Sequence, residues 1–579
     1  MTNFFSASRS AIIIAIFIFI HWPATAQTLP SNINSGTELL RQQERDSQLR
    51  RQQESRPDVT LQTPAPKGAD IFLTHDEAPC FAVQHIILTG ELSEQFQWLV
   101  SATERTSSGK EDSPLNQCLG AGALNQLMER MQNALIERGY VTSRVLMPTQ
   151  VMNKASLEFI FIPGRIRNIR FDLQSSSRAT QWNAMPAKVG DLVNLRDIEQ
   201  ALENFKRVPT AEADIQIAAT DPAIARPGDS DIIIKWRQAL PFRLSLGVDN
   251  SGSNATGRNM GSATFSYDHW WTLNDLFYVS LNKDLGGGDK GERESRGRMI
   301  HYSIPVGYSL LSVTASSNSY YQEVAGINGN SLFAGNADNL EMKLSRVAYR
   351  DAFRKTTASF ALWLRESTNK LNDAAIDNQK RRMAGWEAGL QHRENMGDVL
   401  LEFSGSYRRG TGAWGALHVP EELSGTGTSH PQITRLNAQL STPFSIASQA
   451  LRYSLSFSGQ RSQTNLVPQD RFAIGSRYTV RGFDEQSFLS AEHGWTIRND
   501  LSLALGQSPH QLYVGVDHGE VRGRSTQNLV GTQLTGAAVG LRGAIQQLRY
   551  DVFAAKPLSK PQGFTTDPYM VGFSLMLAY

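Results

Sequence analysis

Beyond residue 26 the chain has no uninterrupted apolar run of about 18 residues, which excludes a helical membrane span there. Cysteine is nearly absent. Cys80 and Cys118 are the only two, too few for a disulfide framework, and no further ligands lie nearby to complete a zinc site. Neither charge sign dominates: the formal net charge is +2, which argues against a nucleic-acid surface. The hydrolase and metalloprotease spellings G-x-S-x-G and H-E-x-x-H do not occur, and the eleven histidines are scattered. Gly410, Gly412 and Gly415 spell a dinucleotide fingerprint, but the following stretch, 416–425, does not read as the helix a pyrophosphate requires. The run Gly286, Gly287, Gly288 lacks P-loop spacing and reads as a turn or loop. Nothing supports catalysis, so the expectation is a protein that is not an enzyme and uses no cofactor or metal.

What is present begins with a targeting signal. Arg9, the ten-residue apolar run 11–20 and Ala24, Ala26 before Gln27 make residues 1–26 a secretory signal peptide. In an oxidising compartment Cys80 and Cys118 read as a disulfide, with two separate thiols as the alternative. Residues 27–56 contain a helix-forming stretch at 37–55 whose apolar residues are Leu39, Leu40 and Leu49. A helix this polar builds no core of its own. It is either a solvated tether or a helix sheltered in a wet cavity. Residues 57–79, with Pro57, Pro64, Pro66, Gly68 and Pro79, read as an extended linker.

Two small α/β units follow, at 80–163 and 164–237. In the first, strands are expected over 81–88, 141–146 and 157–162. Leu124, Leu127, Met128, Met131 and Leu135 fall at helical spacing, and Gly139 stops that helix. In the second, Asn194 caps a helix striped by Leu195, Ile198, Leu202 and Phe205, between strands over 166–171, 214–218 and 231–236.

From 238 to 579 the period becomes two. Leu244, Leu246 and Val248 alternate with Arg243, Ser245 and Gly247, and Val571, Phe573, Leu575, Leu577 and Tyr579 repeat the pattern at the end. The runs approach the roughly 9–11 residues of a tilted membrane strand. At roughly 20 residues per strand and connection, this region holds about 16 strands. Charged residues at 19% and hydrophobic ones at 40% suit a barrel with a polar lumen and an apolar outer face. The fold class is therefore mainly β: a transmembrane antiparallel barrel preceded by two α/β domains and an N-terminal helix.

Late in this region, within 471–490, stand Val480, Arg481, Gly482 and Phe483: a cation, a backbone hinge and a ring on an inter-strand loop. Leu512, Val514 and Val516 would face lipid, so Tyr513, Gly515 and Asp517 face the lumen, and Asp500 also reads inward.

Taken in order, these segments resemble the outer-membrane transporters of two-partner secretion, of the haemolysin-activator and haemagglutinin-transporter type, over essentially the whole mature chain. Residues 80–90 resemble the opening of the family's first periplasmic POTRA domain and 194–209 the helix of the second. Residues 249–257 resemble the first barrel hairpin, 302–307 a later strand, 480–483 the loop-six motif, and 516–519 the strand motif facing it. The resemblance implies that loop six folds into the lumen and that Arg481 pairs there with Asp517, with Asp500 as the rival partner. A solvated Arg481 at a loop tip is the plain alternative.

The resemblance further implies that the early helix plugs the barrel and leaves during transport. The POTRA-like units would capture a secreted exoprotein through its N-terminal secretion domain, and passage would need no ATP. The cargo, an adhesin, a cytolysin or a contact-dependent toxin, would in some cases also be activated. The expected location is the outer membrane of a Gram-negative bacterium, with the N-terminal domains in the periplasm. Expected partners are the exoprotein, outer-membrane lipid and the barrel-assembly machinery, with no nucleic acid. The final residue, Tyr579, departs from the more usual phenylalanine. The rival reading is a barrel-assembly insertase of the same superfamily.

Overall fold

The computed structural model describes residues 35–54, 57–61, 72–74, 77–106, 109–150, 155–221, 223, 225–326 and 329–579. The expected signal peptide lies outside them. The earliest described element is helix α1 (Ser35–Gln53).

The first α/β unit packs helices α2 (Trp98–Ala102) and α3 (Ala121–Glu137) against a three-stranded sheet. In that sheet His85–Gly90 runs parallel to Ser156–Ile162, which also pairs antiparallel with Arg144–Leu146. The stripe predicted on α3 is its buried face: Leu127, Met131 and Leu135 are fully buried with Leu99 and Phe159. Cys80 and Cys118 are joined by a disulfide with Cα atoms 5.2 Å apart. It flanks a two-stranded ladder, Phe81–Val83 with Gln117–Leu119, whose second strand and α2 are too short to show a period in sequence. The strand expected over 141–146 is confined to Arg144–Leu146. Before it, the Ser143 carbonyl accepts from Gln132 and its hydroxyl from the Gly164 amide, which turns the backbone away from the sheet.

The second unit places helix α4 (Leu195–Phe205) against Ala211–Ala219, Ser230–Gln238 and Ile166–Phe171. Asn194 caps α4, its side chain accepting from the Arg196 amide at 2.8 Å, while its amide group donates to the carbonyl of Arg138 at the end of α3. The Leu195 amide donates to Gly139 at 2.9 Å. One residue therefore starts the second helix and fastens it to the first unit.

Among the described residues, sixteen full-length strands close an antiparallel barrel from Phe242–Asp249 round to Met570–Ala578. Their lengths run from 8 to 22 residues. Residues 447–448 form a two-residue turn with positive φ at both Ala447 and Ser448, the conformation that matches hairpin twist. The two longest connections, 412–431 and 463–492, lie at the opposite end, the asymmetry of outer-membrane barrels, whose short turns face the periplasm. The predicted alternation holds: Leu512, Val514 and Val516 are exposed on the outer face, while Tyr513 and Asp517 are buried inside. Near the short-turn end Phe242, Tyr267, Trp270 and Phe277 form an outer aromatic cluster, suited to a membrane interface. The strand before Gly412 extends to Thr411, so Gly410 is a strand residue; two 3-10 turns, Ala413–Gly415 and Pro420–Glu422, lie beyond it.

The second α/β unit docks on the short turns. The Asn183 side chain donates to Pro305 at 3.0 Å, Asn204 donates to Gly307 at 2.8 Å, and the Tyr308 hydroxyl donates to Asp197 at 2.6 Å. Burial pushes the Asp197 carboxyl above its usual value, with the Tyr308 hydrogen bond opposing. Leu276, Tyr278 and Met299 of the barrel join Trp236 and Phe205 in one apolar cluster.

Asn194→Ala removes the cap at a cost of about 1 kcal/mol. Amide exchange over the first turn of α4 should accelerate roughly fivefold in the full chain, with the barrel strands unchanged, as read by hydrogen-exchange mass spectrometry.

Candidate functional site

The connection 463–492 is the sixth of the long loops and turns inward. A short ladder, Phe472–Ile474 with Leu489–Ala491, forms its stalk. Val480 and Phe483 are fully buried, packed with Ile474 and Leu489 of the stalk, Val521 and Leu534 of the wall, and Phe564 of the last long loop. The Phe483 and Phe564 rings meet edge to face at 5.7 Å. This tip lies close enough to the wall to demand glycine on both sides. Gly482 has φ +107°, and a Cβ there would meet the Lys556 carbonyl at 2.4 Å. Opposite it, a Cβ on Gly536 would lie 1.7 Å from the carbonyl of Arg481.

Between these apolar anchors Arg481 reaches two carboxylates. Its Nε donates to Asp517 Oδ2 at 2.6 Å and its NH2 to Asp517 Oδ1 at 2.7 Å, a bidentate fork. The Arg481 backbone amide also donates to Asp517, at 3.0 Å. NH2 further donates to Asp500 Oδ1 at 2.5 Å, so the two candidate partners are held together. Asp517 is 0% exposed and Arg481 3%. Arg498 stands 3.9 Å from Asp517 and donates to the carbonyls of Arg477 and Tyr478, giving two cations for two carboxylates.

A second buried pair was not legible in the sequence. Arg477 Nε donates to Glu485 at 2.9 Å, and Arg477 NH2 donates to the carbonyl of Asn250 at 2.6 Å. Asn250 sits where the barrel closes. The closing ladder between Phe242–Asp249 and Met570–Ala578 has only five residue pairs. Beyond it the Asn250 side chain donates to the Val571 carbonyl at 2.8 Å and accepts from the Phe573 amide at 2.9 Å, imitating a backbone partner. The sequence signal was a hairpin at 249–257; nothing in it points across more than 200 residues to Arg477.

Helix α1 lies against these same groups and against inward-facing wall residues. Arg41 donates to the Glu485 carbonyl at 2.5 Å, and Thr256 donates to Glu38 at 3.2 Å. Ser476 of loop six donates to Glu44 at 3.2 Å. Toward the short-turn end Asn318 donates to Asp46, Arg50 to Glu341 and Tyr278 to Glu54, at 3.1, 2.9 and 3.1 Å. The polar character of 37–55 is thus explained by polar surroundings, and the cavity alternative holds over the tether. Among the described residues no cluster of metal ligands occurs.

Removing Arg481 takes the bidentate partner from buried Asp517 and leaves it only Arg498, 3.9 Å away, a loss of about 3–5 kcal/mol. Arg481→Ala should therefore make loop six accessible to protease while the barrel keeps its heat-modifiable gel mobility. Asp500→Asn, which leaves the Asp517 fork intact, should change cleavage much less.

The chain matches the family model described as haemolysin secretion/activation protein ShlB/FhaC/HecB over residues 228–543. POTRA-domain models match residues 110–164, of the ShlB type, and 165–219. It is 33% identical to the outer membrane transporter CdiB-2 of Burkholderia pseudomallei, over 95% of this chain and 94% of that protein. It is 24% identical to the hemolysin transporter protein ShlB of Serratia marcescens, over 70% of this chain and 71% of that one. The solved structure of CdiB from Acinetobacter baumannii superposes with a TM-score of 0.82 at 29% identity, covering 94% of this chain and 99% of that chain. With a closed sixteen-strand barrel, POTRA domains before it and a buried loop six, the chain belongs to the ShlB/FhaC/HecB family of two-partner secretion transporters of the outer membrane.

Proposed function

We propose that this transporter recognises a partner exoprotein in the periplasm through its POTRA domains and passes it outward through the barrel without ATP. The observation that carries this reading is the content of the lumen: a helix held by side-chain hydrogen bonds and ion pairs, most of which water or a passing chain can replace. Each such bond has a charged partner and is worth about 1.5–3 kcal/mol net, and water competes for both partners. A plug bound in this way can leave, whereas an apolar one would be fixed.

The domain assignment follows the same reading. Residues 27–56 are the plug region and 57–79 the linker. The two recognition modules are 80–163 and 164–237, and 238–579 is the pore, with loop six at 471–490. In the first module His85–Gly90 and Arg144–Leu146 are sheet edges, the strand arrangement that takes an extended peptide by backbone pairing. The Arg481 cluster with Val480, Gly482 and Phe483 holds loop six to the wall while the lumen is in use. The exoprotein folds outside, and that folding, rather than a nucleotide, biases the movement. The hemolysin transporters among the relatives support a cytolysin as one class of cargo.

Deleting the gene should leave the exoprotein in the periplasm while other outer-membrane proteins assemble normally; a general loss of barrels would instead favour an insertase. Proteoliposomes carrying the purified protein should take up urea-unfolded exoprotein in the absence of ATP. Arg481→Ala should lower secretion several-fold with the barrel still inserted, measured by immunoblot of the culture supernatant.

A further inference from the structure

Just before the recognition modules, the chain occupies a cleft between α4 and the short-turn rim of the barrel. Residues 57–61 belong to no helix or ladder there; Val59 and Leu61 are half-buried on one side and Thr60 is exposed on the other, the alternation of an extended chain. The Val59 amide donates to Glu203 at 3.3 Å and the Leu61 amide to Glu199 at 2.9 Å. Arg350 donates to the Val59 carbonyl. The Val59 and Leu61 side chains pack on the apolar cluster of the second unit, while Thr60 between them is exposed. Asp58 is held by Lys355 at 2.9 Å and Arg393 at 3.1 Å, with Asn395 donating at 3.4 Å. Burial works against the Asp58 charge, yet Lys355 and Arg393 hold its carboxyl below the ordinary value.

The spacing is that of a ruler. Glu199 and Glu203 stand one helical turn apart on α4, a rise of about 6 Å. Amides two residues apart on an extended chain are separated by about 6.6 Å. Each carboxylate therefore meets one of two successive amides on the same edge of a strand. The carboxylates are also held by groups outside the bound segment: Arg196 donates to Glu199 at 2.8 Å, and Arg350 bridges Glu199 and Glu203 at 3.0 and 2.9 Å. Recognition through backbone amides tolerates sequence. The demands on side chains are few: a carboxylate, then apolar residues at the next position and two further on.

We propose that this cleft is an entry site for an extended segment of the exoprotein and that residues 57–61 occupy it in cis when no exoprotein is engaged. The inference rests on the secretion reading above and adds a place and a chemistry to it. Lys355 and Arg393 face the lumen from the rim, so a chain lying in the cleft is aligned with the pore mouth. When the linker withdraws, Glu199 and Glu203 lose two N–H donors, and an incoming strand restores both. The cis segment is at high effective concentration, so an exoprotein displaces it only when held nearby, by the POTRA domains. Occupancy of the cleft is thereby coupled to prior capture.

The test uses the full-length transporter with p-benzoylphenylalanine in place of Asn395, beside Asp58, and in a second strain in place of Ser456, which faces the lumen. Without exoprotein, irradiation at 395 should link the barrel to the 57–61 segment. With an exoprotein arrested in transit by a folded C-terminal fusion, that internal product should be lost and an exoprotein adduct should replace it. Leu61→Pro, which deletes the amide that Glu199 accepts, should lower the internal product even without exoprotein. An internal product that persists undiminished beside an exoprotein adduct at 456 overturns the entry site and leaves secretion standing. No adduct at either position overturns the secretion reading as well. An internal product unaffected by Leu61→Pro overturns amide recognition.

Discussion

Hydrocarbon offers no hydrogen bonds, so every strand of a membrane barrel must find a neighbour, and the first strand must find the last. The rest of this molecule is arranged around that closure. The closing ladder is its shortest between full strands, five pairs, and the Asn250 side chain supplies two further hydrogen bonds where the backbone ladder ends. The carbonyl of the same residue accepts from Arg477, whose guanidinium is fixed by Glu485, whose carbonyl in turn receives Arg41 of α1. Seam, loop six and α1 thus share one chain of hydrogen bonds inside the barrel.

Closure of sixteen strands also creates a problem of volume. A barrel of this size is too wide for its own side chains to fill and leaves an aqueous channel unless something enters it. Two segments from opposite parts of the sequence enter here. Loop six fills one wall with an apolar cluster and a buried fork of charge, and α1 occupies the space beside it with hydrogen bonds. The second POTRA domain adds a third contact at the mouth, where its α4 faces the rim and the linker.

The parts legible in the sequence were those with a period. Alternation placed Asp517 inside the barrel from Leu512, Val514 and Val516, and Asp500 from its own neighbours Asn499 and Leu501, and the stripe on α3 was found because it repeats at 3.6 residues. Position in the lumen was therefore readable for strand residues. The loop that meets them has no period, and Arg481 entered the argument through a resemblance to a family motif. Residues that answer an irregular segment were invisible: Gly536 looks like any strand glycine, and Phe564 like any loop aromatic. Glu199 and Glu203 failed for a different reason. On an amphipathic helix they read as its solvated face, and only the docked rim and linker make that face an interior.

The two lumen segments differ in the chemistry by which they are held. Apart from the buried Leu39 and the half-buried Leu49, the contacts of α1 are hydrogen bonds and ion pairs whose groups pair with water after separation, each contributing about 1.5–3 kcal/mol. Freeing loop six would expose Val480 and Phe483, at about 1.5–3 kcal/mol for each side chain. It would also separate a fully buried carboxylate from its cation, at several kcal/mol more. The same lumen therefore holds one segment by mainly polar contacts spread along its length and another by an apolar cluster and a buried ion pair concentrated at one tip. On the proposed secretion reading the first departs while the second stays, and the difference in contact chemistry supports that order.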